Sequence, residues 1–341
     1  MKCLWLHAIL LLMNMTTAQA DVIPITTGNT TDYQVSAIRS TTDGSRIAVF
    51  ERLNGSFFGD LWVTRSTDGG ANWATPSLVI ASAANERHPA LIQTGASSYV
   101  LFYLKGTGAT STYRLWRATS SDGEHYVEQA MLDLGWGSGG EVNPHVIRHA
   151  DGRLTMSYQR LGGGVHVAES TDNGVSWDQL MTPISGSGQL PRIAYRESDG
   201  LYLASYQIGG GALQMFVKTS ANVLDWSAPA QDFAITGNNH DSLPIVMPDD
   251  AFVLFWIRES GGQFDIAARR SLDGLTWQPT ITVTSTLDEN DVEPHPLAGS
   301  SPGVVELFWS REMPVGSNLY NIVRDPMVVV HDPVFANGFD S

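Results

Sequence analysis

The sequence predicts an all-β protein, a six-bladed β-propeller built from four-stranded antiparallel blades. A turn of the form Ser-x-Asp recurs about every 50 residues, and short β-type runs lie between the turns in a constant order. The chain also lacks a long stretch with helical periodicity. Six such units close into a ring that leaves only short, protected strand edges, so a propeller is the expected architecture.

The recurring turn is most complete as STDGGANW, Ser66 to Trp73, and as STDNGVSW, Ser170 to Trp177. Shorter forms begin at Ser120, Ser220 and Ser271. In such a turn the Asp side chain accepts hydrogen bonds from backbone N–H groups, Gly supplies a positive φ, and Trp buries a large apolar area. The turn is therefore predicted to be structural and to carry no chemistry.

A second marker keeps the same rhythm, because each apolar run that precedes a turn opens at a fixed offset. The opening residues are Pro89, Pro144, Pro191 and Pro244, with Ser36 in the place of proline in the first unit and the run EPHPL continuing the series at 293–297. Within each unit, turn signals and a Gly-rich loop separate this run from two further β-type runs. This order indicates three to four antiparallel strands per unit.

The two ends of the chain differ from the repeated part. Residues 1–20 have the pattern of a secretory signal: Lys2, an apolar run over 4–13, and the small-x-small site Ala18-Gln19-Ala20. The apolar run is too short to span a membrane. We therefore expect a secreted protein, extracellular or periplasmic, with one propeller over 21–332 and a tail of unassigned function over 333–341.

Composition narrows the function classes. The single cysteine, Cys3, lies in the expected leader, so the exported protein would have neither a disulfide nor a thiol nucleophile. The chain has 20 basic and 35 acidic residues, for a net charge of −15, which makes nucleic acid a poor partner. The histidines do not show metal-ligand spacing on one element. We expect a monomer with no cofactor and no metal.

The turn Ser-x-Asp-x-Gly-x-x-Trp, repeated in strand-rich units, is the Asp box or BNR repeat. Through it the chain resembles the sialidase-like propeller superfamily over nearly the whole sequence after residue 20. The run YQVSAIRSTTDGSRIAVFERLNGSFFGDLWVTRSTDGGANW is similar to the first blade of bacterial sialidases. The resemblance implies three arginines that bind a substrate carboxylate and a tyrosine nucleophile paired with a glutamate.

Carried over residue by residue, the resemblance is partial. Gln34 stands at the position of the first arginine, and Leu190 stands where a glutamate is expected before the fourth-blade proline. The resemblance implies Arg52 as the second arginine. The remaining implied residues are Arg258 or Arg311 as the third arginine, Tyr320 as the nucleophile, Glu293 as its base and Glu86 as the acid.

The repeat itself points to a site at one end of the ring. In a propeller the inner strands begin, and the second strands end, at the same mouth of the central channel. Five of the six second-strand ends carry a basic residue in this acidic chain. Arginine forks suit carboxylates, and concave polar mouths suit sugars. The predicted substrate-binding residues are Arg52, Arg87, His145, Arg192, Arg258 and Arg311.

Three functions remain open at this point. The first is a sialidase-like glycoside hydrolase that acts on an acidic glycan. The second is a lyase on a uronate polymer, with the catalytic groups His145, His166, Tyr206 and Arg192. The third is a glycan-binding propeller without catalysis, which the residues at positions 34 and 190 favour.

Overall fold

The computed structural model describes residues 22–54, 58–108, 112–137, 139–178, 183–209, 212–233 and 237–330. These residues form six four-stranded antiparallel sheets, which confirms the predicted fold class. The expected leader at 1–20 and the tail at 333–341 lie outside the described residues. Within the described ranges no helix is long and apolar enough to cross a membrane.

The strands, in chain order, are β1 (Ile23–Pro24), β2 (Thr31–Arg39), β3 (Arg46–Leu53), β4 (Gly59–Ser66), β5 (Ser77–Ile80), β6 (Asn85–Gly95), β7 (Ser98–Gly106), β8 (Arg114–Ser120), β9 (Val127–Met131), β10 (Glu141–Arg148), β11 (Leu154–Arg160), β12 (Gly164–Ser170), β13 (Pro183–Ser185), β14 (Gln189–Arg196), β15 (Leu201–Ile208), β16 (Gln214–Ser220), β17 (Gln231–Asp232), β18 (Asn238–Val246), β19 (Phe252–Ser260), β20 (Gln263–Ser271), β21 (Ile281–Thr282), β22 (Asn290–Ala298), β23 (Val304–Glu312) and β24 (Tyr320–Val329).

Each blade is a meander that begins at the channel and ends at the rim. Blades 1 to 5 are β2–β5, β6–β9, β10–β13, β14–β17 and β18–β21. Blade 6 takes β22, β23 and β24 from the end of the chain and receives its outer strand, β1, from the beginning. Ile23 pairs with Arg324 and Pro24 pairs with Val323, so the two ends of the chain are joined in one sheet and the ring is closed.

The apolar core lies between neighbouring blades. One cluster, for example, combines Phe102 of blade 2 with Met156 and Trp177 of blade 3. Both faces of a middle strand are covered in this way, so such a strand is apolar without alternation. The strand β19 starts FVLFWI, and all six of these residues are buried.

The Asp-box turn has the predicted structural role. Ser170 Oγ accepts a hydrogen bond from Gly174 N–H at 2.9 Å, and Asp172 Oδ1 accepts one from Ser176 N–H at 2.9 Å. Trp177 Nε1 donates to the Gly174 carbonyl at 3.2 Å, and Gly174 has a φ of 77°. The turn satisfies its own polar groups and directs the Trp ring into the core.

Every inner strand is interrupted by a β-bulge whose first residue is left-handed. The φ values are 48° at Gln34, 51° at His88, 57° at Asn143, 48° at Leu190, 50° at Asp241 and 56° at Glu293. A bulge breaks the strand pairing locally and re-aims the neighbouring side chains. Six equivalent bulges therefore form one ring around the channel.

The bulges correct the predicted offset of the apolar runs in two blades. The second bulge residue is proline in four blades, but it is Val35 in blade 1 and Ser242 in blade 5. The assignments of Ser36 and Pro244 to this position were wrong. Pro244 lies beyond the bulge, where it pairs with Leu254. Proline has no N–H group to donate, and it is tolerated here because the edge of the inner strand that faces the channel needs no further donor.

Candidate functional site

A cavity of about 70 Å³ lies where the six inner strands meet at the bulges. We call it the channel chamber. All six inner strands contribute to its lining. Its polar lining residues are Gln34, Ser36, His88, His145, Arg192, Asp241, Glu293 and His295.

The channel changes character along its axis. The chamber is polar, whereas the lining towards the Asp-box end comes mainly from aliphatic residues. Four positions beyond the bulge residues the chain has Ile38, Ile92, Ile147, Ala194, Ile245 and Leu297. His145 and His295 line both parts and mark the boundary. Among the described lining residues, those of the mouth end, where the inner strands begin, suit a polar ligand.

Tyr320, the predicted nucleophile, is the first residue of β24 and lies at the mouth. Its ring meets that of Tyr33 edge-on, with the ring centroids 5.1 Å apart. Burial, together with the nearby carboxylates Glu312 and Glu293, raises the pKa of Tyr320 to about 12. The structure thus brings the predicted nucleophile close to Glu293, its predicted base.

Glu293 is the left-handed bulge residue of blade 6 and faces charges from several blades. Its Oε1 accepts a hydrogen bond from Gln34 Nε2 at 3.3 Å. Burial raises the pKa of Glu293 to about 8, with a further increase from Asp241 and opposing effects from Arg192 and Gln34. The side chain is therefore mostly protonated at neutral pH and becomes a base only in mildly alkaline solution.

Two of the predicted anion-binding arginines already hold carboxylates of the chain itself. Arg52 donates to both oxygens of Asp32, at 2.6 and 2.9 Å, and Arg311 donates to both oxygens of Asp291, at 2.7 and 3.0 Å. Both aspartates are fully buried. Arg311 also forms an ion pair with Glu289 at 2.7 Å. A substrate carboxylate would have to compete with these internal partners.

Arg87 and Glu86 lie on β6, next to one another in sequence but in different surroundings. Arg87 donates to both oxygens of the buried Glu51, at 3.1 and 2.7 Å. Glu86, also buried, accepts a hydrogen bond from Ser82 and lies 3.6 Å from Lys105 Nζ. Burial raises the pKa of Glu86, so it has the character of an acid.

Glu86 forms a group apart from the tyrosine pair. Its main charge interactions are with Lys105 and Asp60, whereas those of Tyr320 are with Glu312 and Glu293. The three predicted catalytic side chains are thus placed at the mouth in two groups rather than one.

The other three predicted binding residues form no ion pair with a carboxylate of the described residues, although Arg192 lies near Glu293 and Asp241. Arg258, whose Nε is buried without a hydrogen bond, makes no ion pair in the described part of the chain. His145 and Arg192 both line the channel chamber. The Nδ1 atom of His145 accepts a hydrogen bond from Ile193 N–H at 3.3 Å. Burial, reinforced by Arg192 and His295, lowers the pKa of His145 well below its usual range, so the ring is neutral.

The residues of the lyase alternative are separated in the structure. His145 and Arg192 line the chamber. His166 packs against Tyr158 within blade 3, and Tyr206 stacks on Phe216 within blade 4. The structure thus brings two of the four together and leaves the other two inside their own blades.

Sequence reasoning left Tyr33 out of the site and gave Asp241, which the repeat places at the channel mouth, no role in it. Both belong to it, since Tyr33 contacts Tyr320 and Asp241 lines the chamber beside Glu293. The repeat carries a signal for them: Asp241 is a bulge residue, and Tyr33 immediately precedes one. Asp60, whose pKa is raised by burial, lies opposite Arg52 on the neighbouring strand and was also missed.

Within the described ranges no group of three or more His, Cys, Asp or Glu side chains is arranged to hold a metal ion. The fold and the site together define a class: a six-bladed Asp-box propeller with a polar chamber at one end of its channel. The model of the BNR repeat-like domain matches residues 58–293, and the chain belongs to this family. No curated protein matches the chain.

Several solved structures share the fold. A protein of unknown function from Dyadobacter fermentans is 14% identical, with a TM-score of 0.74 over 91% of this chain and 98% of that chain. Trypanosoma rangeli sialidase is 14% identical, with a TM-score of 0.63 over 90% of this chain and 57% of that chain. The K499G mutant of NanB sialidase from Streptococcus pneumoniae is 8% identical, with a TM-score of 0.67 over 90% and 70%. At these identities the likeness is one of fold.

Proposed function

We propose that this protein is an exported glycoside hydrolase of the sialidase-like type that acts on an acidic glycan at the channel mouth. The observation that carries the proposal is the meeting of Tyr320, Tyr33 and Glu293 at the entrance to the chamber. The likeness in fold to two sialidases supports it. The leader-like residues 1–20 support export.

In the proposed reaction Tyr320 Oη attacks the anomeric carbon while the glycosidic C–O bond breaks. Glu293 accepts the phenolic proton, and Glu86 protonates the departing oxygen. Water then attacks the anomeric carbon of the glycosyl–tyrosine intermediate and gives a proton to Glu86. The bond to Tyr320 Oη breaks, Glu293 returns the phenolic proton, and the sugar is released. The high pKa values of Tyr320 and Glu293 have a consequence: the base form of Glu293 is scarce at neutral pH. We therefore expect the rate to rise as pH increases through about 8.

The direct test is hydrolysis of a panel of aryl sialosides and aryl uronosides by the wild type, Tyr320→Phe and Tyr33→Phe. Tyr33→Phe is the matched control, since it removes a hydroxyl from the other member of the ring pair. We expect Tyr320→Phe to abolish turnover and Tyr33→Phe to retain most of it. Full activity of Tyr320→Phe would remove Tyr320 from the mechanism. Absence of turnover by the wild type on every substrate would remove hydrolysis.

A second candidate function is glycan binding without catalysis. It is favoured by the internal pairing of Arg52 with Asp32 and of Arg311 with Asp291, which leaves fewer cations for a substrate. Gln34 and Leu190 at the expected arginine and glutamate positions point the same way. Retention of an acidic glycan on an array, without product release from the same glycan in solution, distinguishes this function from hydrolysis. Ultraviolet absorbance with uronate polymers reports the lyase reaction separately.

A further inference from the structure

The cations of the mouth fall into two kinds. Most of them hold a carboxylate of the chain at ion-pair distance. The pairs are Arg52 with Asp32 at 2.6 Å, Arg87 with Glu51 at 2.7 Å, Lys105 with Glu128 at 2.7 Å, Arg160 with Glu141 at 2.7 Å and Arg311 with Asp291 at 2.7 Å. Among the described residues Arg192 and Arg258 have no such pair, and of these two only Arg192 lines the channel chamber.

Arg192 keeps most of its hydrogen-bonding capacity unused. Its Nη1 donates to the Pro191 carbonyl at 3.1 Å and to the Asn143 carbonyl at 3.5 Å. A guanidinium has five N–H donors. The Nε and Nη2 donors make no hydrogen bond to any described residue, and the side chain is only partly buried. A planar pair of unused donors at the wall of a cavity is the arrangement that binds a carboxylate through both oxygens.

Other chamber groups complement a ligand that carries hydroxyls as well. The Nδ1 atom of His145 is an acceptor in its bond with Ile193 N–H, so the neutral ring has its proton on Nε2 and adds a donor beside Arg192. Gln34 Oε1 and Asp241 Oδ1 are buried acceptors that have no hydrogen-bond partner among the described residues. Buried acceptors of this kind need a donor such as a hydroxyl group.

The charge of the chamber at neutral pH also permits an anion. Burial lowers the pKa values of His88, His145 and His295, so these rings contribute no charge. The pKa of Glu293, raised to about 8, leaves its carboxyl protonated at pH 7. The carboxyl group of Asp241 also lines the chamber near Arg192, and its Oδ2 atom is hydrogen-bonded to His240 Nδ1 at 2.7 Å. The positive charge of Arg192 is therefore not cancelled by Glu293 below about pH 8.

We propose that Arg192 and His145 form a subsite for the carboxylate of a hydroxylated acid, the acidic sugar residue of a glycan, while Gln34 and Asp241 accept hydrogen bonds from its hydroxyls. The identity of the ligand as part of a glycan rests on the proposed function. The subsite itself is independent of turnover, since binding of the free acid needs no Tyr320. We thus assign anion binding to Arg192, which lines the chamber, and not to Arg52 and Arg311, which are paired with buried aspartates.

The test is calorimetric titration of the folded protein with free glucuronate and with glucose as the uncharged control. We expect Arg192→Gln to weaken glucuronate binding by about ten- to a hundredfold, the effect of losing a charge-assisted hydrogen bond. Glucose binding should not change. Arg192→Lys should retain part of the affinity, and Arg258→Gln, the matched variant of the other arginine without an ion pair among the described residues, should lose less affinity than Arg192→Gln. Melting curves establish that each variant is folded.

Three outcomes would overturn the proposal. They are wild-type affinity in folded Arg192→Gln, a larger loss in Arg258→Gln, and a wild-type protein that binds neither glucuronate nor N-acetylneuraminate at millimolar concentration. Loss of hydrolysis in Tyr320→Phe with glucuronate binding intact separates the two proposals. If instead the wild type binds glucuronate but hydrolyses nothing, the subsite stands and the hydrolase does not.

Affinity should also depend on pH in a defined direction. The titratable and charged groups that face Glu293 are Asp241, Arg192, Glu51, Arg87, Tyr33 and Tyr320. As pH rises through about 8, Glu293 ionises and adds a negative charge beside Arg192, so glucuronate should bind more weakly. Glu293→Gln should remove this decline. A decline that persists in Glu293→Gln would contradict the assignment.

Discussion

The two ends of the propeller are both made by repetition, but they repeat different things. At the Asp-box end the side chains recur: Ser, Asp and Gly form the same local hydrogen bonds at 66–70 and at 170–174. At the mouth the backbone recurs, with six left-handed bulges, while the bulge residues are Gln, His, Asn, Leu, Asp and Glu. Repeated side chains indicate a structural role. A repeated backbone that carries different side chains can instead form a functional site.

The arginines of the two ends teach the same lesson. At the Asp-box end they bind backbone carbonyls of the neighbouring turn and so join blades, and three of the four, Arg65, Arg196 and Arg324, also pair with a carboxylate. The bonds to carbonyls run from Arg65 to Asp122 at 3.0 Å, from Arg117 to Asn173 at 3.2 Å, from Arg196 to Leu272 at 2.6 Å and from Arg324 to Gly69 at 3.2 Å. At the mouth most arginines bind carboxylates, whereas Arg192 keeps unused N–H donors on its guanidinium group. A basic residue by itself therefore does not mark a binding site.

The largest expected effect is at the Asp-box end. Trp177→Ala removes a ring that is 6% exposed and packs edge-on against Phe102 at 5.5 Å. We expect a loss of about 3–5 kcal/mol in the free energy of unfolding, because the cavity cannot be refilled. Glucuronate affinity should be unchanged in the folded fraction. The control is Trp73→Ala, whose ring is only partly buried and whose cost should be smaller. Equal melting temperatures of Trp177→Ala and wild type would contradict the structural role of the Asp-box end.

An arginine at the mouth that is paired with a carboxylate of the chain should contribute to stability rather than to ligand binding. Arg311→Met leaves Asp291 fully buried without its main counter-charge, which typically costs about 3 kcal/mol or more. The matched variant, Arg258→Met, loses no ion pair of the described residues and should cost less. Urea unfolding of both measures the difference. If Arg311→Met unfolds like wild type and loses glucuronate affinity instead, Arg311 belongs to the binding site and the division of the arginines is wrong.

A third expected effect is a pH dependence of stability at the mouth. The pKa of Glu293 is raised to about 8 in the folded protein from an ordinary 4.5. Its protonated form is favoured by folding, so its contribution is fully present below pH 4.5 and is lost as pH rises through about 8. Glu293→Gln should flatten this part of the curve of melting temperature against pH. The control, Asp241→Asn, should keep a decline but move it to lower pH, because Asp241 contributes to the raised pKa of Glu293. Identical curves for Glu293→Gln and wild type would contradict the assignment.

Much of the fold could be predicted because its signals are local. Asp172 and Ser170 bond to backbone groups within four residues, so the turn is visible in a short window of sequence. The apolar runs between such turns reveal the strands. The site was only partly predictable. Tyr320 and Glu293 were predicted as site residues through a family resemblance, and the structure places them near each other. Tyr33 was missed because its role depends on a partner in another blade.

By itself the sequence determined the all-β class, the six units and the structural nature of the Asp turn, since each follows from contacts a few residues long. Only the tertiary structure decided that β1 completes blade 6, that Arg87 belongs to Glu51 and that Gln34 meets Glu293. The contact of Arg87 with Glu51 joins residues 36 apart in the chain, and the contact of Gln34 with Glu293 joins residues 259 apart. Closing the ring brings them together, and no local pattern records which distant side chain each will meet. For the same reason Arg192, one basic residue among 20 Lys and Arg, is distinguished by two tertiary features together: it lines the channel chamber and it has no ion pair among the described residues.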